Sequence, residues 1–288
     1  MNSVLAPWLQ TQLESLLTQR GHAWLLAGPS GLGQFELAFA LAKAWLCEKP
    51  MPQGACGVCS SCHAVDVHTH ADLAVLMPEL LSLELGWPLD EKTQDDLDSK
   101  KRKPSKEIKV DAAREVVSFT QFTRSRGTTK VVLVFPAERM NGITANTLLK
   151  TLEEPPVGGT LILISHAPGR LLPTIRSRCR RLSLSPLSDL DLKAALPDTD
   201  ATIRALAGGC PGRVKALSAL GGDKIYTSLS RQLSGLPRAP LDEALALAEL
   251  AGNGDKFNAV FDMLEDWLAR AGRAGVGLEI DEIEPGES

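Results

Sequence analysis

A short apolar run, His22-Ala-Trp-Leu-Leu-Ala27, ends in Gly28-Pro-Ser-Gly-Leu-Gly33 and gives way to an alanine- and leucine-rich stretch from Gln34 to Leu46. Nothing else in the chain narrows the possible folds as much. An apolar run closed by glycines reads as a buried strand, and the stretch after it as a helix. Strand, glycine turn and helix make half of a parallel α/β unit, which needs more strands beside it and helices on both faces. The chain supplies them. Ile108-Lys-Val-Asp111 leads into a helix through Arg114, Val117 and Phe122, and the β-branched run from Lys130 to Phe135 predicts a central strand. Asn141 to Glu153 reads as a helix closed by Pro155-Pro156, and Leu161 to Ser165 as another strand. An opening helix is marked by Leu5, Trp8, Leu9, Leu13, Leu16 and Leu17. After Ala167 short helices surround Pro197 and Gly208-Gly209, with no convincing strand. Phe257, Val260, Phe261, Leu264, Trp267 and Leu268 mark one face of a late amphipathic helix, and the tail from Gly275 to Ser288 is acidic. The expected class is α/β, a parallel-sheet domain followed by helical pieces.

The glycine turn also poses a question of chemistry. In a phosphate-binding loop of the form G-x-x-x-x-G-K-[ST], glycines open backbone N–H groups to phosphate, the lysine reaches the outer phosphates and the hydroxyl holds Mg²⁺. Gly28, Gly31 and Gly33 stand in place, but Gln34 occupies the lysine position and Phe35 the hydroxyl position. An amide has no charge to set against phosphate, and a phenyl ring cannot ligate a metal. Glycines without the lysine are also what a purely structural turn would show. A second check is independent. Such an ATPase needs acids just after a central strand to hold Mg²⁺ and orient the attacking water. Here Val131-Val-Leu-Val134 is followed by Phe135 and Pro136, and the nearest acid, Glu138, comes too late. Neither ATP hydrolysis by the chain alone nor ATP bound in its own loop is expected.

Cys47, Cys56, Cys59 and Cys62 fall in one short stretch. Two overlapping C-x-x-C turns place three thiols on one side of a tight loop and Cys47 adds the fourth, which suits a closed tetrahedral Zn²⁺ site of the structural kind. Unligated thiols or a redox pair are the other readings of such a cluster. With four thiols available, His63, His68 and His70 read as bystanders, and Cys179 and Cys210 as buried apolar residues.

A length of 288 residues suggests two or three domains, and 44% apolar with 23% charged residues describes a globular chain. The net charge of −4 argues against coating nucleic acid through bulk charge, so any such contact is local or made by partners. No apolar stretch approaches a membrane span and the segment Met1 to Gln10 lacks a signal pattern, so a cytoplasmic protein without membrane contact is expected. Between about Leu83 and Lys106 the acids Asp90, Glu91, Asp95, Asp96 and Asp98 precede the bases Lys100, Lys101, Arg102, Lys103 and Lys106. Blocks of this kind predict a solvated loop, with a DNA-touching basic tip as the functional alternative.

In order, the glycine loop, the four cysteines, Asn146-Thr-Leu-Leu-Lys-Thr-Leu-Glu-Glu-Pro-Pro156 and Leu171-Leu-Pro-Thr-Ile-Arg-Ser-Arg-Cys179 resemble the DNA polymerase III clamp-loader family. The resemblance covers roughly residues 20 to 215. The degenerate loop places the chain nearer the family's delta-prime branch than the ATP-hydrolysing gamma/tau branch, which keeps the lysine. The resemblance implies a RecA-like AAA+ domain over 1–167 with a zinc module at 47–62, a helical lid over 168–221 and a helical collar over 222–288. It implies gamma/tau and delta as partners, and the sliding clamp and primed DNA as indirect ones. It further implies that Arg178, in Ser-Arg-Cys, reaches into a neighbour's ATP site as an arginine finger, a role worth ~10³–10⁵ in rate in nucleotide hydrolases. A lone arginine would otherwise read as a surface ion-pair residue. Arg176 is a weaker supporting candidate. Ser165 matches the region of sensor 1 and Arg213 the sensor 2 arginine. Two departures stand out: the charged insertion at 84–106 is long, and the stretch from Gly222 to Ser288 is short for the family's collar. Two rival functions are an ATP-hydrolysing motor, opposed by Gln34, Phe35, Phe135 and Pro136, and a zinc-dependent DNA-binding protein, opposed by the acidic net charge.

Overall fold

The structure is a computed structural model that describes residues 5–19, 21–123, 125, 129–234 and 255–275. The chain divides into two compact units. The first comprises residues 1–29 and 33–185, and the second 186–288 together with the loop tip Ser30–Leu32.

The first unit runs α1 (Pro7–Leu17), β1 (Ala23–Ala27), α2 (Gln34–Leu46), α3 (Ser60–Asp66), β2 (Leu73–Leu76), α4 (Glu79–Glu84), α5 (Glu91–Asp98), α6 (Val110–Gln121), β3 (Lys130–Val134), α7 (Gly142–Glu153), β4 (Gly159–Ser165), α8 (Pro173–Arg176) and β5 (Arg180–Ser183). Its five strands form one sheet in the order β2-β3-β4-β1-β5, and every pairing is parallel. β1, β3 and β4 are buried along their whole length, which is why they read as unbroken apolar runs rather than alternating ones. Ala23, Leu25, Val132, Val134, Leu161 and Leu163 meet Ile108, Ala113, Val116, Ala145 and Leu148 on the face covered by α6 and α7. Alternation turns Trp24, Leu26, Val131 and Leu133 to the other face, where α2 packs. The expected α/β parallel-sheet class is what the chain adopts.

Three sequence readings need correction. A strand follows Ala167 after all: β5 pairs with β1 from Trp24↔Arg180 to Ala27↔Ser183. Three of its four side chains are exposed, so its pairing comes from the backbone and leaves no apolar trace. β2 was likewise missed; its four residues, Leu73–Leu76, are too few to show a period. The charged insertion is not a loop throughout. Asp90 caps α5, its side chain accepting the Thr93 N–H at 2.9 Å. Acids at the start of a helix and lysines just past its end both suit the helix dipole. The basic turn is then fastened to Glu79, whose carboxylate takes Arg102 Nη2 at 3.0 Å, Lys109 Nζ at 2.6 Å and the Ser105 N–H at 2.9 Å.

The second unit is helical: α9 (Asp189–Ala195), α10 (Ala201–Ala207), α11 (Pro211–Leu220), α12 (Gly222–Ser234) and α13 (Asp255–Gly275). Leu192, Ile203, Leu206, Val214, Leu217, Ile225, Leu229, Val260 and Met263 form its core. The six apolar residues read as one face of the last helix are split. Val260 is buried and Leu264 and Trp267 pack beside it, whereas Phe257, Phe261 and Leu268 are at least half exposed. Residues 235–254 and 276–288, which hold part of the expected collar and nearly all of the acidic tail, lie outside the described residues. No described helix is long and apolar enough to cross a membrane.

Candidate functional site

The glycine loop follows β1 and ends on α2, as its sequence requires. Gly33 caps α2 with φ +91°, and a Cβ there would come within 2.6 Å of Leu9 Cδ1. At Gly28 a Cβ would meet the Leu184 carbonyl oxygen at 2.5 Å. Both positions therefore admit only glycine. Gln34 is 1% exposed, and its Nε2 donates to the carbonyls of Gly28 at 2.9 Å and Pro29 at 2.6 Å. The amide thus fastens the loop to itself. Within the second unit, Gly31 at the loop tip accepts the Gly212 N–H at 2.8 Å, and the Arg213 nitrogen lies 2.9 Å from where a Gly31 Cβ would be.

Where a hydroxyl and an acid would share a magnesium ion, two rings meet instead. The Phe35 and Phe135 centroids are 4.9 Å apart. From this pair a row of aromatic rings extends both ways. His166 lies edge-on to Phe135 at 5.4 Å, and Phe35 stacks on Phe39 at 6.3 Å. Phe39 meets both His68 and Trp87, which stack on each other at 3.8 Å and 11°. Glu138 Oε1 accepts the His166 backbone N–H at 3.0 Å, while its buried Oε2 makes no hydrogen bond among the described residues. Burial lowers the His166 pKa, against the opposing pull of Glu138 and Glu36, which favours the neutral ring. Ser165 is fully buried, its Oγ accepting the Ala167 N–H at 3.2 Å.

The four cysteines converge. Cys47 ends α2, Cys56 and Cys59 lie on the loop, and Cys62 is on α3; their sulfurs all lie within 4.8 Å of one another. Cys47 and Cys59 are 3.8 Å apart and Cys56 and Cys62 3.9 Å apart. Four sulfurs at the Zn–S distance of about 2.3 Å around one ion would sit about 3.8 Å apart, so the set fits a tetrahedral zinc ion. Backbone N–H groups point at two of the sulfurs: Cys47 Sγ accepts from Lys49 at 3.4 Å and Cys56 at 3.3 Å, and Cys59 Sγ from Cys62 at 3.4 Å, though at Cys47 burial outweighs them and raises the pKa. At Cys59 burial favours the neutral thiol, yet the N–H donors outweigh it and hold the pKa at about 6. The histidines have other places. His63 is exposed on α3, His68 stacks on Trp87, and buried His70 accepts the Asp72 N–H through Nδ1 at 3.0 Å. Burial pushes Cys179 up to about 11 and raises Cys210, so both thiols stay protonated.

Arg178 lies on the turn between α8 and β5 and is partly exposed. Its Nη1 donates to the Thr174 carbonyl at 2.8 Å, and its Nη2 pairs with Glu153 at the end of α7. Arg176 is exposed two residues earlier, at the end of α8. Sequence reasoning did not anticipate Glu153, the self-fastening of Gln34 or the aromatic row. Phe35 and Phe39 stand one turn apart on α2, but Phe135 and Trp87 are far from them in the chain, and only the fold brings the four together.

Comparison with known proteins places this chain among replication proteins. A family model described as "DNA polymerase III, delta subunit" matches residues 5–188. The DNA polymerase III subunit delta' of Pseudomonas aeruginosa is 36% identical over 274 residues, covering 91% of this chain and 75% of that one. The subunit delta' of Escherichia coli is 36% identical over 185 residues, 62% of this chain but only 48% of its own length. The subunit tau of Escherichia coli is 30% identical over 166 residues, 58% of this chain and 22% of tau. Among solved structures, a gamma-subunit-related protein of Thermotoga maritima is similar over 88% of this chain and 76% of its own at 21% identity, with a TM-score of 0.43, too low to carry an argument.

Proposed function

The chain belongs to the DNA polymerase III delta-prime subunit family, and on that premise we propose that it is a clamp-loader subunit that hydrolyses no ATP itself and lends Arg178 to the ATP site of a neighbouring gamma/tau subunit. The observation that carries this reading is the Phe35–Phe135 ring pair at 4.9 Å. It puts carbon where a nucleotide hydrolase needs a hydroxyl and a carboxylate around magnesium. Gln34 supports it, because a buried amide bonded to its own loop presents no cation to a phosphate.

In this role the chain is a stationary ring member. Its sheet domain carries the loop and the zinc module, and the helical unit after Ser185 supplies a lid to about residue 221 and, from residue 222 on, a collar that meets gamma/tau and delta. The loader as a whole acts on the sliding clamp and primed DNA in the cytoplasm. Zinc, held by Cys47, Cys56, Cys59 and Cys62, supplies cross-linking and no catalysis; a complete thiolate set leaves no open position for water. The arginine's part is electrostatic. A guanidinium beside the γ-phosphate of a neighbour's ATP stabilises the charge that develops as the phosphoryl group departs.

The test is reconstitution with gamma/tau and delta, comparing clamp- and DNA-stimulated ATP hydrolysis with Arg178 and with Arg178→Ala. A loss of 100-fold or more, on the order expected for a finger, in a complex that still assembles is the expected result. Unchanged hydrolysis in an intact complex refutes the role in trans.

A further inference from the structure

The motif Leu152-Glu-Glu-Pro-Pro156 has no part in the function proposed above, yet its first acid touches the residue on which that function depends. Glu153 Oε1, at the C-terminal end of α7, pairs with Arg178 Nη2. The other arm of the guanidinium is held from α8: Nη1 donates to the Thr174 carbonyl at 2.8 Å and lies 3.4 Å from Ser177 Oγ. Two elements that meet in the fold, α7 and α8, therefore grip one side chain from two directions.

We infer that Glu153 is a positioning residue for Arg178, fixing the plane of its guanidinium before a neighbour's phosphate arrives. The inference rests on the trans-acting role of Arg178. A free arginine side chain samples many rotamers, and a finger that must find its orientation at each encounter loses much of its advantage. Thr174 alone would leave the side chain free to swing about one hydrogen bond. Glu153 adds the second point that defines a plane. A guanidinium has five N–H donors, and these contacts leave Nε–H and the second Nη2–H to meet an anion. The pair is also soft enough not to trap the arginine, because its side chains are 33% and 47% exposed and water screens the attraction. A buried pair would hold the charge back; an exposed one orders it and lets it be shared.

The experiment uses the reconstituted loader and compares Glu153→Ala, Glu153→Gln, Arg178→Ala and the double Glu153→Ala/Arg178→Ala chain. Glu153→Ala should lower kcat for stimulated ATP hydrolysis about threefold to fivefold, the scale of an exposed pair, with KM for ATP unchanged and assembly intact. Glu153→Gln keeps an acceptor oxygen in the same place and should lose less than about twofold. The double chain should match Arg178→Ala alone, because Glu153 acts only through the arginine. Three results would overturn the inference while leaving the finger standing: Glu153→Ala at the wild-type rate, Glu153→Ala faster than wild type, or a further loss on the Arg178→Ala background. If Arg178→Ala itself has no effect, the finger reading fails and takes the positioning role with it.

Discussion

Replacing Glu79 by glutamine removes the anchor of the charged insertion, and the structure sets both the size and the pH range of the effect. Burial would raise this carboxyl's pKa, but hydrogen bonds from Arg102, Lys109 and the Ser105 N–H outweigh it and bring the value from 4.5 down to about 2. At about 1.4 kcal/mol per tenfold, that depression sets a ceiling of about 3 kcal/mol on what the ionised carboxylate contributes at neutral pH. Glu79 is only 10% exposed, but Arg102 and Lys109 are 29% and 44% exposed, so screening reduces the figure to about 1–2 kcal/mol. The sign follows from the depressed value. The folded chain holds its proton less tightly than the unfolded chain, so the contribution is full above pH 4.5 and is lost as pH falls toward 2. Urea unfolding of both chains at pH 7 should show the glutamine variant about 1–2 kcal/mol less stable, and the gap should close between pH 4.5 and pH 2. A gap that is absent at pH 7, or one that persists unchanged to low pH, refutes the reasoning.

Two other outcomes follow from the sites. Gln34→Lys/Phe35→Thr should not create Mg²⁺·ATP binding, because Phe135 and Pro136 still stand where the acids are needed; a fluorescent nucleotide titration should show no saturation below millimolar concentration, and micromolar binding would contradict the reading of the ring pair. Cys62→Ser, which breaks a buried thiol set spaced for zinc, should abolish stoichiometric zinc in the purified chain and lower stability by at least about 2 kcal/mol, with a strong chelator reproducing the stability loss in the wild type; wild-type protein that purifies without zinc would remove the metal from the account.

What the sequence displays depends on how locally each feature is made. β1, β3 and β4 are buried on both faces, so composition alone marks them. α7 announces itself through Asn141, whose side chain caps the Thr144 N–H at 2.9 Å. β5 is invisible because an edge strand with exposed arginines is held by backbone bonds that no side chain advertises. α5 was mistaken for a loop because a charge block lacks an apolar period, although its acid-first order and its Asp90 cap are helix signals. The cysteine set was legible because all its members fall within a few turns of chain. Arg178 stood out in its motif and Glu153 only as the end of a helix, and their pairing depends on α7 and α8 meeting in space.

The row of rings from Trp87 through His68, Phe39, Phe35 and Phe135 to His166 also bears on evolution. Each ring is now part of another ring's surroundings, so the site is bound together by mutual dependence. A lone threonine at 35 or aspartate at 135 would supply one magnesium ligand without the other and would give up ring contact that its neighbour now makes. No single exchange builds a magnesium site here, because a hydroxyl at 35 and an acid at 135 are useful only together. The packing works as a ratchet against single exchanges.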